Sequence, residues 1–261
     1  MSATIASPHP RDRGPRASDA VICFEHVSKS FGSHQVLRDV SLDIAAGEAF
    51  GILGRSGMGK SVSLALMIRL LAPDRGRVFV EGKDLGAIGR DGLMDVRKRI
   101  GFLFQNAALL DSLSVYDNVA FPLRRHTRKP EREIQELVKR RLEDVGLGGD
   151  ANKMPADLSG GMRKRVGLAR ALVLDPPIIL VDEPSSGLDA ITASEIYDLL
   201  RNLKETGKTL VVVTHDGSAM RGIVDELAVL DRASIVARGS PEELARNENE
   251  VVRALVAGSE R

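Results

Sequence analysis

The eight residues Gly54-Arg55-Ser56-Gly57-Met58-Gly59-Lys60-Ser61 constrain this chain more than any others. They fit Gly-x-x-x-x-Gly-Lys-[Ser/Thr], the spacing of a loop that cradles phosphate. The residues before them, Ala49-Phe50-Gly51-Ile52-Leu53, form a short apolar run suited to a buried strand. After them, Lys60 to Leu71 carries Val62, Ala65, Leu66, Ile68 and Leu70 at helical spacing, which predicts a helix. Strand, glycine loop and helix together give the motif its mechanism. The glycines let successive backbone N–H groups turn inward onto phosphate oxygens at the positive end of a helix. In that setting Lys60 reaches the β- and γ-phosphates of a nucleotide, and the Ser61 hydroxyl reaches Mg2+.

A second half of the same site is written further along. Ile178-Ile179-Leu180-Val181 is a fully apolar strand that runs into Asp182 and Glu183. A helix over Ala193 to Thr206, with Ile196, Leu199, Leu200 and Leu203 inward and Gly207 as its stop, leads to Thr209-Leu210-Val211-Val212-Val213. That strand ends at Thr214-His215. Strand–helix–strand order implies parallel strands joined by a right-handed crossover. Open parallel sheets bind ligands beyond the carboxyl ends of their strands. There Asp182 can hold a metal beside Ser61 and Glu183 can accept a proton from an attacking water, the alternative being a strand-end pair that faces solvent. His215 contacts the γ-phosphate or serves as a structural histidine. Ile100 to Phe104 reads as a core strand that delivers Gln105, whose amide would bond both a metal-bound water and the lytic water.

Ser159-Gly160-Gly161 opens another helix, Met162 to Leu174, with Met162, Val166, Ala169 and Val173 as its buried stripe. The free N–H groups there make a second anion site, or Ser159 is an ordinary cap. One nucleotide rarely needs two separate helix N-termini from one chain. A homodimer resolves this, each copy's second motif covering the other copy's nucleotide. Arg163, Lys164, Arg165 and Arg170 lie off the stripe and read as a solvated basic face, or as a contact for phosphate or a partner.

Around these motifs, Val21 to Glu25, the alternating Val40 to Ile44 and Arg77 to Gly82 suggest strands, those near the N-terminus antiparallel. Leu113 to Pro122 suggests a short helix and turn. Glu131 to Val145 is amphipathic through Ile134, Leu137, Val138, Leu142 and Val145, with Pro130 at its start and Gly146 at its end. Leu227 to Leu230 and Ile235 to Arg238 flank a hairpin turn, and Pro241 opens a last helix towards Ala257. Residues 1–18 mix Pro, Ser, Arg and Ala and read as a disordered tail. No apolar run is long enough to cross a bilayer, and the N-terminus lacks the apolar core of a secretory signal. A net charge of +1 and 3% aromatic residues argue against nucleic acid as a partner. Cys23 is the only cysteine and reads as a small buried hydrophobe in a reducing cytosol.

Taken in order, Gly54–Ser61, Gln105, Leu158–Met162, Ile178–Glu183, Ser186-Gly187-Leu188-Asp189 and His215 resemble the successive motifs of an ABC-type ATPase. The resemblance runs from about Val21 to Gly239. It implies a P-loop NTPase fold of the α/β class: a mixed β-sheet core, an antiparallel β subdomain, and a helical subdomain inserted at about 106–165. The ATPase domain then spans 19–241, with a C-terminal helix over 242–261. It implies ATP and Mg2+ as cofactors. It places Phe31 on adenine, Asp189 at a dimer interface, and Lys60, Gln105, Glu183 and His215 in catalysis. Ser159, Gly160 and Gly161 then close on the partner's nucleotide.

Finer similarities point to the Mla/MCE lipid-transport ATPases. They are Gln105-Asn106-Ala107-Ala108-Leu109-Leu110, Val115-Tyr116-Asp117-Asn118-Val119-Ala120-Phe121-Pro122-Leu123, Met154-Pro155, the Met162 of the signature, and Ile191-Thr192-Ala193-Ser194. This resemblance implies an ATPase that powers phospholipid movement between bacterial membranes. It would be docked through Leu109 to Leu123 on an Mla-type integral membrane permease at the cytoplasmic face of the inner membrane. An MCE-domain substrate-binding protein and a small STAS-domain subunit are the further partners it implies. Other cargoes, such as an amino acid, a metal complex or a released lipoprotein, remain alternatives. So do ABC ATPases acting on nucleic acid or ribosomes, although those generally carry a coiled-coil insertion or two cassettes in one chain.

Overall fold

The computed structural model describes residues 20–258, so the expected tail lies outside the described residues. Ten strands and eight α-helices follow in the order β1 (Ala20–Phe31), β2 (His34–Ala45), β3 (Ala49–Leu53), α1 (Lys60–Met67), β4 (Arg75–Val80), β5 (Lys83–Asp84), α2 (Arg90–Lys98), β6 (Ile100–Leu103), α3 (Val115–His126), α4 (Glu131–Asp144), α5 (Gly160–Leu172), β7 (Ile178–Asp182), α6 (Ala190–Glu205), β8 (Thr209–Thr214), β9 (Glu226–Asp231), β10 (Ser234–Gly239), α7 (Pro241–Leu244) and α8 (Glu250–Val256).

The strands form two sheets. A four-stranded antiparallel sheet has the order β2-β1-β4-β5. A six-stranded sheet has the order β10-β9-β3-β8-β7-β6, parallel throughout except for the β9–β10 hairpin. Its apolar strands alternate between two cores. Ala49, Leu53, Ile179, Val181, Leu210 and Val212 face the cluster that includes α3, α4, α5 and α8 residues. Phe50, Ile52, Ile178, Leu180, Val211 and Val213 face the cluster made with α1 and the antiparallel sheet. Both faces are covered, so continuous apolar runs rather than alternating ones are what such strands require. Each aliphatic side chain so buried stabilises the sheet by about 1.5–3 kcal/mol.

Several elements differ from their sequence patterns. The P-loop helix ends at Met67, because Arg69 takes a left-handed conformation with φ 51°, and Leu70 is exposed rather than inward. β6 is a core strand through Leu103, although it stands at the edge of its sheet. Pro122 lies inside α3, which continues to His126. The last helix is two short ones. A capping box of Ser240 and Glu243 starts α7, and Asn249 caps α8. Leu244, Val252, Leu255 and Val256 bury into the same core as β3 and β8.

Candidate active site

Parallel pairing brings the carboxyl ends of the central strands level. Leu53 pairs with Thr214, Asp182 with Val213, and Leu103 with Val181. The residues that follow each strand therefore meet at one edge. There a cleft is lined by Ser56, Gly57, Gly59, Lys60, Ser61, Gln105, Glu183 and His215, with Val36 and Ser186. Gly59 opens α1 at φ 92°, and a Cβ there would stand 2.6 Å from the Val36 carbonyl oxygen. Glycine is thus required both by the left-handed turn and by the close approach of β2.

The charged groups form a closed set. Lys60 is almost fully buried; its Nζ donates to the carbonyls of Gly54 (2.8 Å) and Arg55 (3.1 Å) and pairs with Glu183 Oε1 at 3.1 Å. The other Glu183 oxygen lies 2.8 Å from His215 Nδ1. Ser61 Oγ donates to Asp182 Oδ1 at 2.8 Å. Burial raises the Asp182 carboxyl, with the Ser61 hydrogen bond opposing and the Glu183 charge adding to the shift. A buried carboxylate beside a hydroxyl is a pair of hard oxygen donors that fits Mg2+, which characteristically takes few protein ligands and leaves the rest to phosphate and water. Gln105 Nε2 reaches Ser186 Oγ at 3.2 Å.

The second glycine motif stands apart. Ser159 Oγ accepts from Met162 N as the cap of α5, and Ser159 and Gly161 line a different cavity with Thr192 and Arg165. Gly161 packs so closely that a Cβ would stand 2.2 Å from Thr192 Cγ2. Asp189 caps α6, accepting from Ile191 N and Thr192 N and from the Thr192 hydroxyl at 2.7 Å. These bonds hold the Asp189 carboxyl below its usual range. Phe31 ends β1 half exposed beside Lys29 and outside the cleft lining. Met58 packs part-buried against the core below the loop.

The basic residues of α5 correct the reading as a solvated face. Lys164 is buried and donates to the Glu183 carbonyl at 2.8 Å. Arg170 donates to the carbonyls of Ala107 (2.6 Å) and Ala108 (2.8 Å), two residues in left-handed conformation just after Gln105. Burial pulls the Lys164 ammonium and the Arg170 guanidinium down, the nearby Asp182 and Glu183 opposing this at Lys164. Arg163 donates to Leu158 O, and Arg165 bridges Val145 O and Glu195. Sequence reasoning also missed Val36 and did not assign Ser186 a role in the cleft. Val36 carries no signal of its own, whereas Ser186 stands in the Ser-Gly-Leu-Asp motif.

The profile of the family described as ABC transporter matches residues 37–186. The chain belongs to the ABC transporter ATP-binding family. This cassette is 46% identical over 233 residues to the probable ribonucleotide transport ATP-binding protein mkl of Mycobacterium leprae, covering 89% of this chain and 67% of that protein. It is 44% identical to the methionine import ATP-binding protein MetN of Caulobacter vibrioides, covering 86% and 68%. It is 42% identical over 260 residues to the protein trigalactosyldiacylglycerol 3, chloroplastic, of Arabidopsis thaliana, covering 93% and 75%. The cassette thus spans about two thirds of the length of its mycobacterial relatives. Among solved structures, the dimeric post-hydrolysis state of the ATP-binding cassette MJ0796 bound to ADP and Pi superposes with a TM-score of 0.78 at 34% identity, covering 84% of this chain and 98% of that one. The fold is that of the P-loop ABC ATPase, and the family sets ATP as the ligand.

Proposed function

We propose that this cassette is the Mg2+-dependent ATP-hydrolysing subunit of a bacterial transporter that moves phospholipid between the inner and outer membranes and so maintains outer-membrane lipid asymmetry. The hydrolytic part rests on Glu183, a buried carboxylate with one oxygen on Lys60 and the other on His215. When ATP enters, its phosphates compete for Lys60, leaving the Glu183 carboxylate to accept the proton of an attacking water. Lys60 and His215 then face the charge that develops on the γ-phosphoryl oxygens. Ser61 and Asp182 would hold Mg2+, which when bound would supply neutralisation of the phosphate charge. Gln105 orients water at the cleft mouth, and Phe31 stacks on adenine.

Two copies face head to tail. The partner's Ser159, Gly160 and Gly161 complete each cleft, and Asp189 lies at the interface. The α5 N-terminus supplies N–H donors and a positive dipole for the γ-phosphate of the other copy.

No helix among the described residues is long and apolar enough to cross a membrane. The membrane partner in this reading is an Mla-type permease. It docks in the groove between α2, β6, α3 and α5, where Leu110 and Phe121 are exposed beside Phe102 and Phe104. This groove includes part of the segment 109–123 that resembles the Mla-type ATPases. In this reading the cassette works at the cytoplasmic face of the inner membrane, with an MCE-domain protein and a STAS-domain subunit completing the assembly. The lipid cargo is further supported by the Arabidopsis relative, whose name carries a glycerolipid. The names of the mycobacterial and Caulobacter relatives favour a second reading, a small polar cargo such as an amino acid or nucleotide.

Purification of the full chain with its native partners separates these readings. Co-purified permease with bound phospholipid, and ATPase activity stimulated by phospholipid, are expected. Stimulation by methionine or a ribonucleotide instead, or co-purified ribosomes or DNA, would overturn the lipid assignment.

A further inference from the structure

Lys164 is a cation buried where its charge is expensive unless something specific receives it. What receives it is the Glu183 main chain, through a 2.8 Å hydrogen bond from Nζ to the carbonyl oxygen. Glu183 has φ 44°, in the left-handed region that residues with a side chain seldom occupy without support from their surroundings. Its N–H is fixed on the other side by Val213 O at 2.9 Å. The two bonds clamp the peptide from α5 and from β8, and the carboxylate is thereby aimed at Lys60 and His215. Lys164 does not line the nucleotide cleft. It stands little more than one turn from the Ser159-Gly160-Gly161 end of the same helix.

We propose that Lys164 is a positioning residue that fixes the Glu183 main chain from the signature helix, tying the anion-binding end of α5 to the general base of its own chain. The proposal rests on the hydrolytic reading given above. Under it, engagement of Ser159 and Gly161 with one nucleotide is passed through Lys164 to the base acting on the other. Without the ammonium, the Glu183 carbonyl loses its donor and the peptide relaxes away from its left-handed conformation. The base then loses its aim while the nucleotide contacts stay in place.

The test uses the full chain, with ATPase rates measured against ATP concentration at saturating Mg2+. Lys164→Met is expected to lower kcat about tenfold, equivalent to roughly 1.4 kcal/mol, while KM for ATP stays within about twofold. Lys164→Arg, which keeps a cationic donor, is expected to recover most of the rate. In a Glu183→Gln background, Lys164→Met is expected to change the single-turnover rate by less than about twofold, because a residue acting through Glu183 has nothing further to lose. An unchanged kcat in Lys164→Met, or a loss that repeats in full in the Glu183→Gln background, overturns the proposal. Should Lys164→Met fail to fold, Lys164→Leu, which also lacks a donor, carries the same comparison. Wild-type turnover in Glu183→Gln alone is a separate result and counts against the hydrolytic reading itself.

Discussion

Replacement of Glu183 by glutamine removes a charge and little else. The glutamine is nearly isosteric, so its two terminal atoms occupy the positions that now lie 3.1 Å from Lys60 Nζ and 2.8 Å from His215 Nδ1. With the amide oxygen towards Lys60, the NH2 group donates to His215 Nδ1 once the imidazole proton sits on Nε2, while the His215 main-chain N–H, 3.4 Å from that position, loses its acceptor. Lys60 also keeps the carbonyls of Gly54 and Arg55. Loss of the charge-assisted part of these bonds costs about 1–3 kcal/mol of stability. In a chain of this size that lowers Tm by roughly 2–12 °C. Bound ATP offers its phosphates to Lys60 in place of the missing carboxylate, so the deficit should shrink with ATP. Catalysis behaves differently, because an amide cannot accept the water's proton. Loss of general-base assistance lowers kcat by about 10²–10⁴-fold, or about 2.7–5.4 kcal/mol of barrier. Phosphate release under saturating Mg-ATP measures the first effect, and equilibrium binding of ATP measures what remains. Wild-type turnover, or loss of ATP binding in parallel with turnover, would refute the role given to Glu183.

Gly161→Ala places a methyl group 2.2 Å from Thr192 Cγ2; over-packing of this kind costs about 1–3 kcal/mol, seen as a lower Tm. Adding Thr192→Ser removes that methyl and should restore Tm without restoring ATPase activity, because the new Cβ still stands on the nucleotide-facing motif. Gly101→Ala sets a Cβ 2.4 Å from the Ala171 carbonyl, a backbone atom that cannot turn aside, and should destabilise by a similar roughly 1–3 kcal/mol in a denaturant titration. Asp182→Asn weakens the metal site, and a titration of ATPase rate with Mg2+ should show at least about a tenfold higher requirement, roughly 1.4 kcal/mol. Asp117 is held below the usual aspartate range by the Ser114 hydroxyl and then by Arg124. A carboxylate held low contributes stability above its unfolded pKa and loses it as pH falls through the folded one. Ser114→Ala should therefore lower Tm at neutral pH by the loss of a cap worth about 1 kcal/mol and of this bond, with the gap to wild type narrowing below about pH 4.

How far the sequence carried the fold depends on which forces act locally. β3, β7 and β8 are apolar runs bounded by turns or charges, and their limits follow from composition alone. The Asp182–Glu183 pair and His215 were readable because each ends such a run. The helix ends were less so. α1 stops at Met67 because Arg69 turns left-handed and its side chain bonds the Ile88 carbonyl, a contact no periodicity contains. α2 has an apolar face of little more than Leu93 and Val96, so its helical period is faint. The basic face of α5 was misread for a related reason. Its true partners are main-chain carbonyls at Glu183, Ala107 and Ala108, 19 to 63 residues away, and carbonyls carry no sequence signature. A lysine or arginine off the buried stripe looks the same whether water or a peptide oxygen receives it. Ser159 and Gly161 were legible as an anion-binding helix start, but their separation from the P-loop within one chain needed coordinates.

The central claim is that two copies share each nucleotide. The most direct measurement is a crystal structure of the full-length Glu183→Gln protein grown with Mg-ATP. The account predicts a head-to-tail dimer in which the γ-phosphate held by Lys60 of one copy lies about 3 Å from the Ser159 hydroxyl and the Gly161 N–H of the other. ATP enclosed within a single copy, with the Ser159 end of α5 turned to solvent, would contradict it.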